Sequence, residues 1–334
     1  MVPSGGIFPA LSVGHGHTRM PRWAGQEPSP IVGVILCRRR SAAADRREAA
    51  IARTTDVLKQ LIPPAVLPLA RGLARPLRTP EWSYIGERWP TGDPRAEGWH
   101  HQSVVDAQRD RWAAFVAAIQ STAPPGVSHE ATRIESTDPS AHNAIMTFAY
   151  VLARAAGTRS SIAVLDWGGG LGYYAAIARA LLPCIALHWT VKEIPAVCDE
   201  GRRLNPDVTF TSDADAALSR RYDLVFASNS IQYAEDWRTL LVHLANAAER
   251  WIFLTRVPLV ERAASFVVSQ RPHHVGYRTE YLSWMFNRGE LLAHASAVGL
   301  VLEREFLMVS ERNEGVAGAP EANDNRGFLF RARE

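Results

Sequence analysis

The sequence predicts an α/β protein built on a doubly wound, mostly parallel sheet, and three observations carry that prediction. From residue 161 onward, short apolar runs alternate with stretches of helical spacing. The runs are apolar at nearly every position, the pattern of strands buried on both faces. Four glycines, Gly168, Gly169, Gly170 and Gly172, then crowd the turn after the first run, in VLDWGGGLGYY.

The elements follow in chain order. Residues 1–50 are rich in Gly, Pro, Ser, His and Arg without any period, and read as a disordered extension. Residues 51–78 are apolar, basic and interrupted by Pro: either a broken packing helix or a segment lying on a membrane surface. EWSYIGERWP and GWHHQ, within 80–103, show no periodicity. VVDAQRDRWAAFVAAIQ and AHNAIMTFAYVLARAA have helical spacing, so 51–156 reads as a helical N-terminal or lid region ahead of a domain at 157–334.

In that domain, strands are expected at IAVLD, IALHWTV, VTFT, YDLVFAS and WIFLTRV, with helices at about 171–182, 195–204 and 236–248. NRGELLAHASAVG reads as a helix stopped by Gly299. LVLEREFLMV and GFLFRAR follow with no helix between them, which predicts an antiparallel hairpin at the edge of a seven-stranded sheet.

Bulk properties narrow the partners. The 334 residues carry a formal charge of +3, and the arginines are spread along the chain instead of forming a stripe, which argues against nucleic acid. Cys37, Cys184 and Cys198 are odd in number and far apart, so reduced thiols in a cytoplasmic protein are expected, and no metal spacing is present. No apolar run approaches the roughly 18 residues of a bilayer span.

In a doubly wound sheet the ligand crevice lies at the carboxyl ends of the strands. A glycine turn there lets a ligand approach the backbone and aims helix N–H groups at it. The spacing is G-x-G-x-G, not the G-x-G-x-x-G of dinucleotide sites. Asp166 ends the preceding strand, where a carboxylate suits a cationic ligand better than a pyrophosphate. S-adenosylmethionine carries an ammonium and a sulfonium and no phosphate, and it is the cofactor this turn predicts. On that reading Gly170→Val should abolish cofactor binding while leaving the fold largely intact. The later strand ends extend the site. Glu193 in TVKEIP stands where an acid accepts from ribose hydroxyls, or pairs on the surface with Lys192. Ser212 and Asp213 either meet the adenine amino group or cap a helix. Ser228 and Asn229 lie beside the same crevice or in an ordinary loop.

VLDWGGGLGYY, TVKEIP, YDLVFASNSIQY and FNRGELLAHASAVGLVLE together resemble the successive motifs of class I S-adenosylmethionine-dependent methyltransferases, over roughly residues 160–333. The resemblance implies a Rossmann-like fold, with Asp166, Gly168, Gly169, Gly170, Gly172 and Tyr173 at the cofactor turn and Glu193 as ribose ligand. Many relatives end the second strand in V-D-x-S, whereas here Lys192 precedes Glu193. From about residue 80 the chain is similar, more narrowly, to bacterial methyltransferases of unassigned substrate encoded near surface-polysaccharide genes. That likeness implies a small polar acceptor such as a sugar or glycolipid hydroxyl.

A hydroxyl acceptor needs a base. His273 and His274, in SQRPHHVGYRTEY, and His142, at the start of the helix before the first strand, are the candidates, His273 the first of them; each also fits a capping or solvent-facing role. Tyr173, Tyr233, Tyr277 and Tyr281 are candidates to line an acceptor pocket. Two other classes stay open: a non-catalytic cofactor-binding or scaffold protein in a biosynthetic assembly, and an NAD(P)-dependent oxidoreductase that would need the missing glycine.

Overall fold

A computed structural model describes residues 80–92, 98–308 and 316–333. The expected extension at 1–50 and the proline-interrupted segment at 51–78 lie outside the described residues.

The described chain begins with β1 (Trp82–Gly86), a turn at 98–100, and two helices, α1 (Gln102–Gln120) and α2 (Pro139–Ala156). Asp138 starts α2 by accepting from the amides of Ser140 (2.8 Å) and Ala141 (3.1 Å), with Pro139 in the first turn where no N–H is missed. Strand and helix then alternate. β2 (Ser161–Trp167) leads to α3 (Tyr173–Leu181), β3 (Ala186–Lys192) to α4 (Pro195–Leu204), and β4 (Thr209–Thr211) to α5 (Ala214–Leu218). β5 (Tyr222–Ser228) precedes α6 (Trp237–Ala247), which Asp236 caps by accepting from Thr239 N. The long β6 (Ala248–Val260) is followed by β7 (Phe266–Gln270) and β8 (Tyr281–Asn287). α7 (Arg288–Ala297) then gives way, through left-handed Gly299, to β9 (Leu300–Leu307), and β10 (Asp324–Ala332) closes the chain.

The seven expected strands are all present, side by side in the order β4-β3-β2-β5-β6-β10-β9. β2 pairs parallel with β3 and β5, β3 with β4, and β5 with β6, while β10 runs antiparallel to both β6 and β9. The sheet is larger than the sequence predicts, with ten strands among the described residues. β8 joins the far end of β6 through Leu259–Phe286 and Val260–Asn287, beyond the point where β5 stops. β7 pairs antiparallel with β8, and β1 with β7. This added wing places the WSYIG and FVVSQ segments beside each other and next to the crevice.

Strand geometry divides the core. Successive side chains point to opposite faces, so Leu224 and Phe226 of β5 pack with α2, α3 and α4, whereas Val225 and Ala227 pack with α6 and α7. Both faces are covered, which is why these strands read as unbroken apolar runs. A third cluster, around Phe266, Val268 and Met285, fills the added wing. No helix among the described residues is long and apolar enough to cross a membrane.

Candidate functional site

β2 ends in Asp166, which is fully buried. Trp189 of the neighbouring β3 donates its indole N–H to Asp166 Oδ2 at 3.2 Å, and Oδ1 has no hydrogen-bond partner among the described residues. Burial, with the nearby Glu193 charge adding to it, raises this carboxyl from 3.8 to about 7. The chain then reverses through Gly168, Gly170 and Gly172, all with positive φ. At Gly169 a β-carbon would stand 2.4 Å from the Asp166 Cγ, and at Gly170 2.9 Å from Gln108 Oε1. The space a side chain would need is therefore occupied by the protein's own groups, and this, with the left-handed backbone, is what glycine satisfies here. The sequence-based reason, room for a ligand, is not the first constraint.

Around this turn lies a cavity of about 450 Å³. Asp166, Gly168, Gly169, Gly170, Tyr173, Glu193, Ser228 and Asn229 all line it. Glu193 follows β3 and accepts from Gly170 N at 3.3 Å and from Ile194 N at 2.7 Å, and burial raises its carboxyl. Lys192 lies over the Trp167 ring at 4.8 Å, so its ammonium has a partner other than Glu193. Asn229 adopts a left-handed backbone (φ 51°) at the end of β5, and its Oδ1 accepts from Gln232 Nε2.

Other expected residues stand elsewhere. Gly172 does not line the cavity; it opens α3, where a β-carbon would meet Asn205 Nδ2 at 2.7 Å. Ser212 and Asp213 are exposed and outside the cavity. Asp213 caps α5, its Oδ1 accepting from Ala216 N at 3.0 Å, so the capping alternative describes this acid. His142 and His273 are exposed and line neither this cavity nor its neighbour. Neither is therefore among the groups that the two cavities bring together.

A second cavity of about 600 Å³ shares a wall with the first, built from His129, Glu130, Tyr174, Asn229, Tyr233, Arg256, Tyr277 and Tyr281. Tyr233, Tyr277 and Tyr281 thus stand where the two cavities meet. Trp99 stacks on Tyr281 with ring centres 4.2 Å apart and presents its edge to Tyr233 at 4.8 Å. Its Nε1 is buried without a hydrogen-bond partner among the described residues, like Gln108 Oε1 and Asp166 Oδ1. All three residues line the first cavity, so these polar atoms are placed to meet a polar ligand there.

The charged members of the shared wall are not evident in the sequence. Between the pairs Arg326–Val257 and Phe328–Leu254, Thr255 and Arg256 of β6 stand against Gly327 alone. This bulge puts Arg256 at φ 57° and turns its guanidinium into the wall, where it pairs with Glu130. Burial works to raise the Glu130 carboxyl, but Arg256 overrides it and takes it from 4.5 down to about 2. Burial draws the His129 imidazole down to about 4, so it is neutral in the physiological range; its ring stacks on Tyr173 at 4.4 Å. Arg111 of α1 ties these parts together, donating to the carbonyls of Glu130 and Val275. The one signal that points to Arg256 is a lone charge inside the apolar run WIFLTRVPLV.

No protein-family model and no curated protein sequence matches the chain. Among solved structures, it is similar to a magnesium protoporphyrin IX methyltransferase from Synechocystis PCC 6803 with bound SAH, at 14% identity and TM-score 0.42, over 69% of this chain and 98% of that one. It is similar to a 1,6-didemethyltoxoflavin-N1-methyltransferase from Burkholderia thailandensis, with bound 1,6-didemethyltoxoflavin and S-adenosylhomocysteine, at 13% identity and TM-score 0.40, over 75% and 95%. An S-adenosylmethionine-dependent methyltransferase from Clostridium acetobutylicum ATCC 824 is similar at 10% identity and TM-score 0.39, over 56% and 90%.

Proposed function

We propose that the protein is an S-adenosylmethionine-dependent methyltransferase acting on a small polar acceptor, a sugar or glycolipid hydroxyl. The observation that carries this reading is the placing of two acids on one cavity: buried Asp166, with Oδ1 unpartnered among the described residues, and half-buried Glu193, one strand along.

The residues present fit the cofactor. Asp166 offers anionic character to its ammonium and sulfonium, and Glu193 is placed for the ribose hydroxyls. Gly168, Gly169 and Gly170 bring bare backbone to the same cavity, while Ser228 and Asn229 close its side. Nothing in the 211–213 segment reaches it, so the adenine edge falls to other groups, Ile194 among them. When bound, the cofactor supplies an electrophilic methyl group, and the protein's contribution is alignment and exclusion of water. On this reading residues 98–138, carrying Trp99, Gln108 and His129, form the cover over the domain at 157–334.

The acceptor belongs in the second cavity, which opens on the shared wall. Asn229, Gln232, Gln270 and Asn325 line it with amides, which both donate to and accept from hydroxyls. The glycan class is supported by the resemblance of residues from about 80 onward to bacterial methyltransferases encoded near surface-polysaccharide genes.

The test is incubation with methyl-labelled cofactor and a cell extract fractionated into glycan, lipid and protein, with Glu193→Ala as control. Label in glycan or lipid that the variant does not transfer is the expected result. Cofactor binding without transfer to any fraction would favour a non-catalytic role, and tight binding of a reduced nicotinamide instead would overturn the reading.

A further inference from the structure

We propose that His274, oriented by Glu81, is the general base that takes the proton from an acceptor hydroxyl in the second cavity. The inference rests on the methyltransferase reading above and adds the group that its chemistry lacks.

The two residues are far apart in sequence, and the added wing of the sheet joins them. Glu81 immediately precedes β1, whose Trp82 pairs with Gln270 at the end of β7, and the Glu81 carbonyl accepts from Arg271 N at 2.8 Å. The chain then turns through 273–275 and leaves by left-handed Gly276. That turn sets His274 Nδ1 2.9 Å from Glu81 Oε2. Glu81 is itself held, its Oε1 accepting from Gln270 Nε2 at 3.3 Å. Both residues line the second cavity. Arg111 pins the far side of the turn through the Val275 carbonyl.

The arrangement is that of an oriented base: a carboxylate fixes one ring nitrogen and leaves the other to accept. With Nδ1–H donating to Glu81, Nε2 is the proton acceptor. His129 is a poorer choice, since burial leaves its imidazole weakly basic and its ring is stacked on Tyr173. Glu81 from the segment before β1 contacts His274, and Arg111 of α1 holds the neighbouring Val275 carbonyl. The other charged and titratable groups of that cavity are His129, Glu130, Arg133, Glu135 and Asp138 from the segment between α1 and α2, Tyr174 of α3, Tyr233, Arg256 of β6, Tyr277 and Tyr281. The second cavity, which His274 lines, shares the wall of His129, Glu130 and Arg256 with the first.

The step balances. The acceptor oxygen forms a bond to the methyl carbon as the carbon–sulfur bond breaks, its electron pair staying on sulfur. The hydroxyl proton passes to His274 Nε2. One positive charge is lost from the sulfonium and one appears on the imidazolium, beside the Glu81 carboxylate, and solvent then removes the proton.

The experiment uses methyl-labelled S-adenosylmethionine with methyl α-D-glucopyranoside, methyl α-D-mannopyranoside and methyl α-L-rhamnopyranoside as probe acceptors. It is run on wild type, His274→Ala and Glu81→Gln, with cofactor affinity measured by calorimetry on each. Expected are base-stable methyl ethers from wild type and a loss of turnover of about 10²- to 10⁴-fold in His274→Ala at unchanged cofactor affinity. Glu81→Gln should lose less, and the loss should fall on kcat while the KM for cofactor stays as in wild type, because the amide still fills the place beside the ring but orients it less firmly. Full turnover in His274→Ala overturns the proposal, as does a parallel loss of cofactor affinity, which marks a merely structural residue. Wild-type protein that binds cofactor but labels none of the glycosides, or forms base-labile products, overturns the hydroxyl chemistry. Wild-type protein that binds no cofactor overturns the methyltransferase reading itself.

Discussion

Trp189 and Asp166 stand on adjacent parallel strands with the indole N–H donating to the carboxylate at 3.2 Å, and this single bond is all the described protein offers a fully buried acid. The carboxyl is accordingly raised from 3.8 to about 7, with burial the main cause. In the folded state it holds its proton where the unfolded chain has released it, so its contribution to stability is complete below about pH 3.8. That contribution declines as pH rises and is gone above about 7. Thermal scans of cofactor-free protein should show a decline over this window that Asp166→Asn flattens. A cationic ligand beside Asp166 reverses the preference, so cofactor affinity in wild type should fall as pH drops below about 7 and vary little in the variant. Calorimetry across pH 5–8 checks this, and identical pH profiles would refute the assignment.

Glu193 differs from Asp166 because both its oxygens already accept backbone amides, from Gly170 and Ile194. Replacing it with Ala removes a charged acceptor and releases the turn it holds. A hydrogen bond to a charged group contributes about 1.5–3 kcal/mol, so cofactor affinity should weaken by roughly ten- to a hundredfold. A Glu193→Ala protein that binds as tightly as wild type would move the ribose site elsewhere.

Gly170→Val meets a different fate from the one its sequence position suggests. The sequence predicts lost cofactor binding in an intact fold, but the residue has φ 56° and its β-carbon would press on Gln108 Oε1 at 2.9 Å and on the Tyr173 ring at 3.2 Å. Left-handed strain costs about 1–3 kcal/mol, and a β-branched residue bears it worst. A melting temperature lowered by several degrees together with lost binding is expected, with Gly170→Ala between the two proteins. An unchanged melting temperature would show that the turn yields freely.

What could be read from the chain is what the chain keeps local. Asp166, the glycines and Glu193 each follow a strand directly, and a strand, its turn and its helix are one continuous segment. The capping of α5 by Asp213 is equally local, and there the backbone amides of the helix won the carboxylate. Gln108, His129, Glu130 and Arg256 are brought to the cavity by α1, a long loop and a bulge in β6, and no spacing announces them. Glu81 and His274 meet only because β1 pairs with β7. WSYIG lacks the alternation of an ordinary strand, and FVVSQ is a short run easily passed over beside a Pro- and Gly-bearing loop. His142, His273 and His274 drew notice for their chemistry, and of the three only His274 lines a cavity.

Arg256 supplies the last prediction. Its guanidinium and the Glu130 carboxylate pair across the wall between the cavities, each side chain about a quarter to a third exposed (30% and 25%). Glu130 titrates at about 2 when folded against 4.5 unfolded, so the pair's contribution is present above about pH 4.5 and is lost as pH falls toward 2. Arg256→Met leaves the carboxylate without its cation, and partial exposure limits the cost to about 1–2 kcal/mol near neutral pH. The same variant relieves the strained backbone no further, because Met is as ill suited to φ 57° as Arg. Its melting temperature should therefore lie below wild type at pH 6, and the gap should close steadily between pH 4.5 and pH 2. A gap that stays constant over that range would mean that Arg256 supports the wall by packing and not by charge.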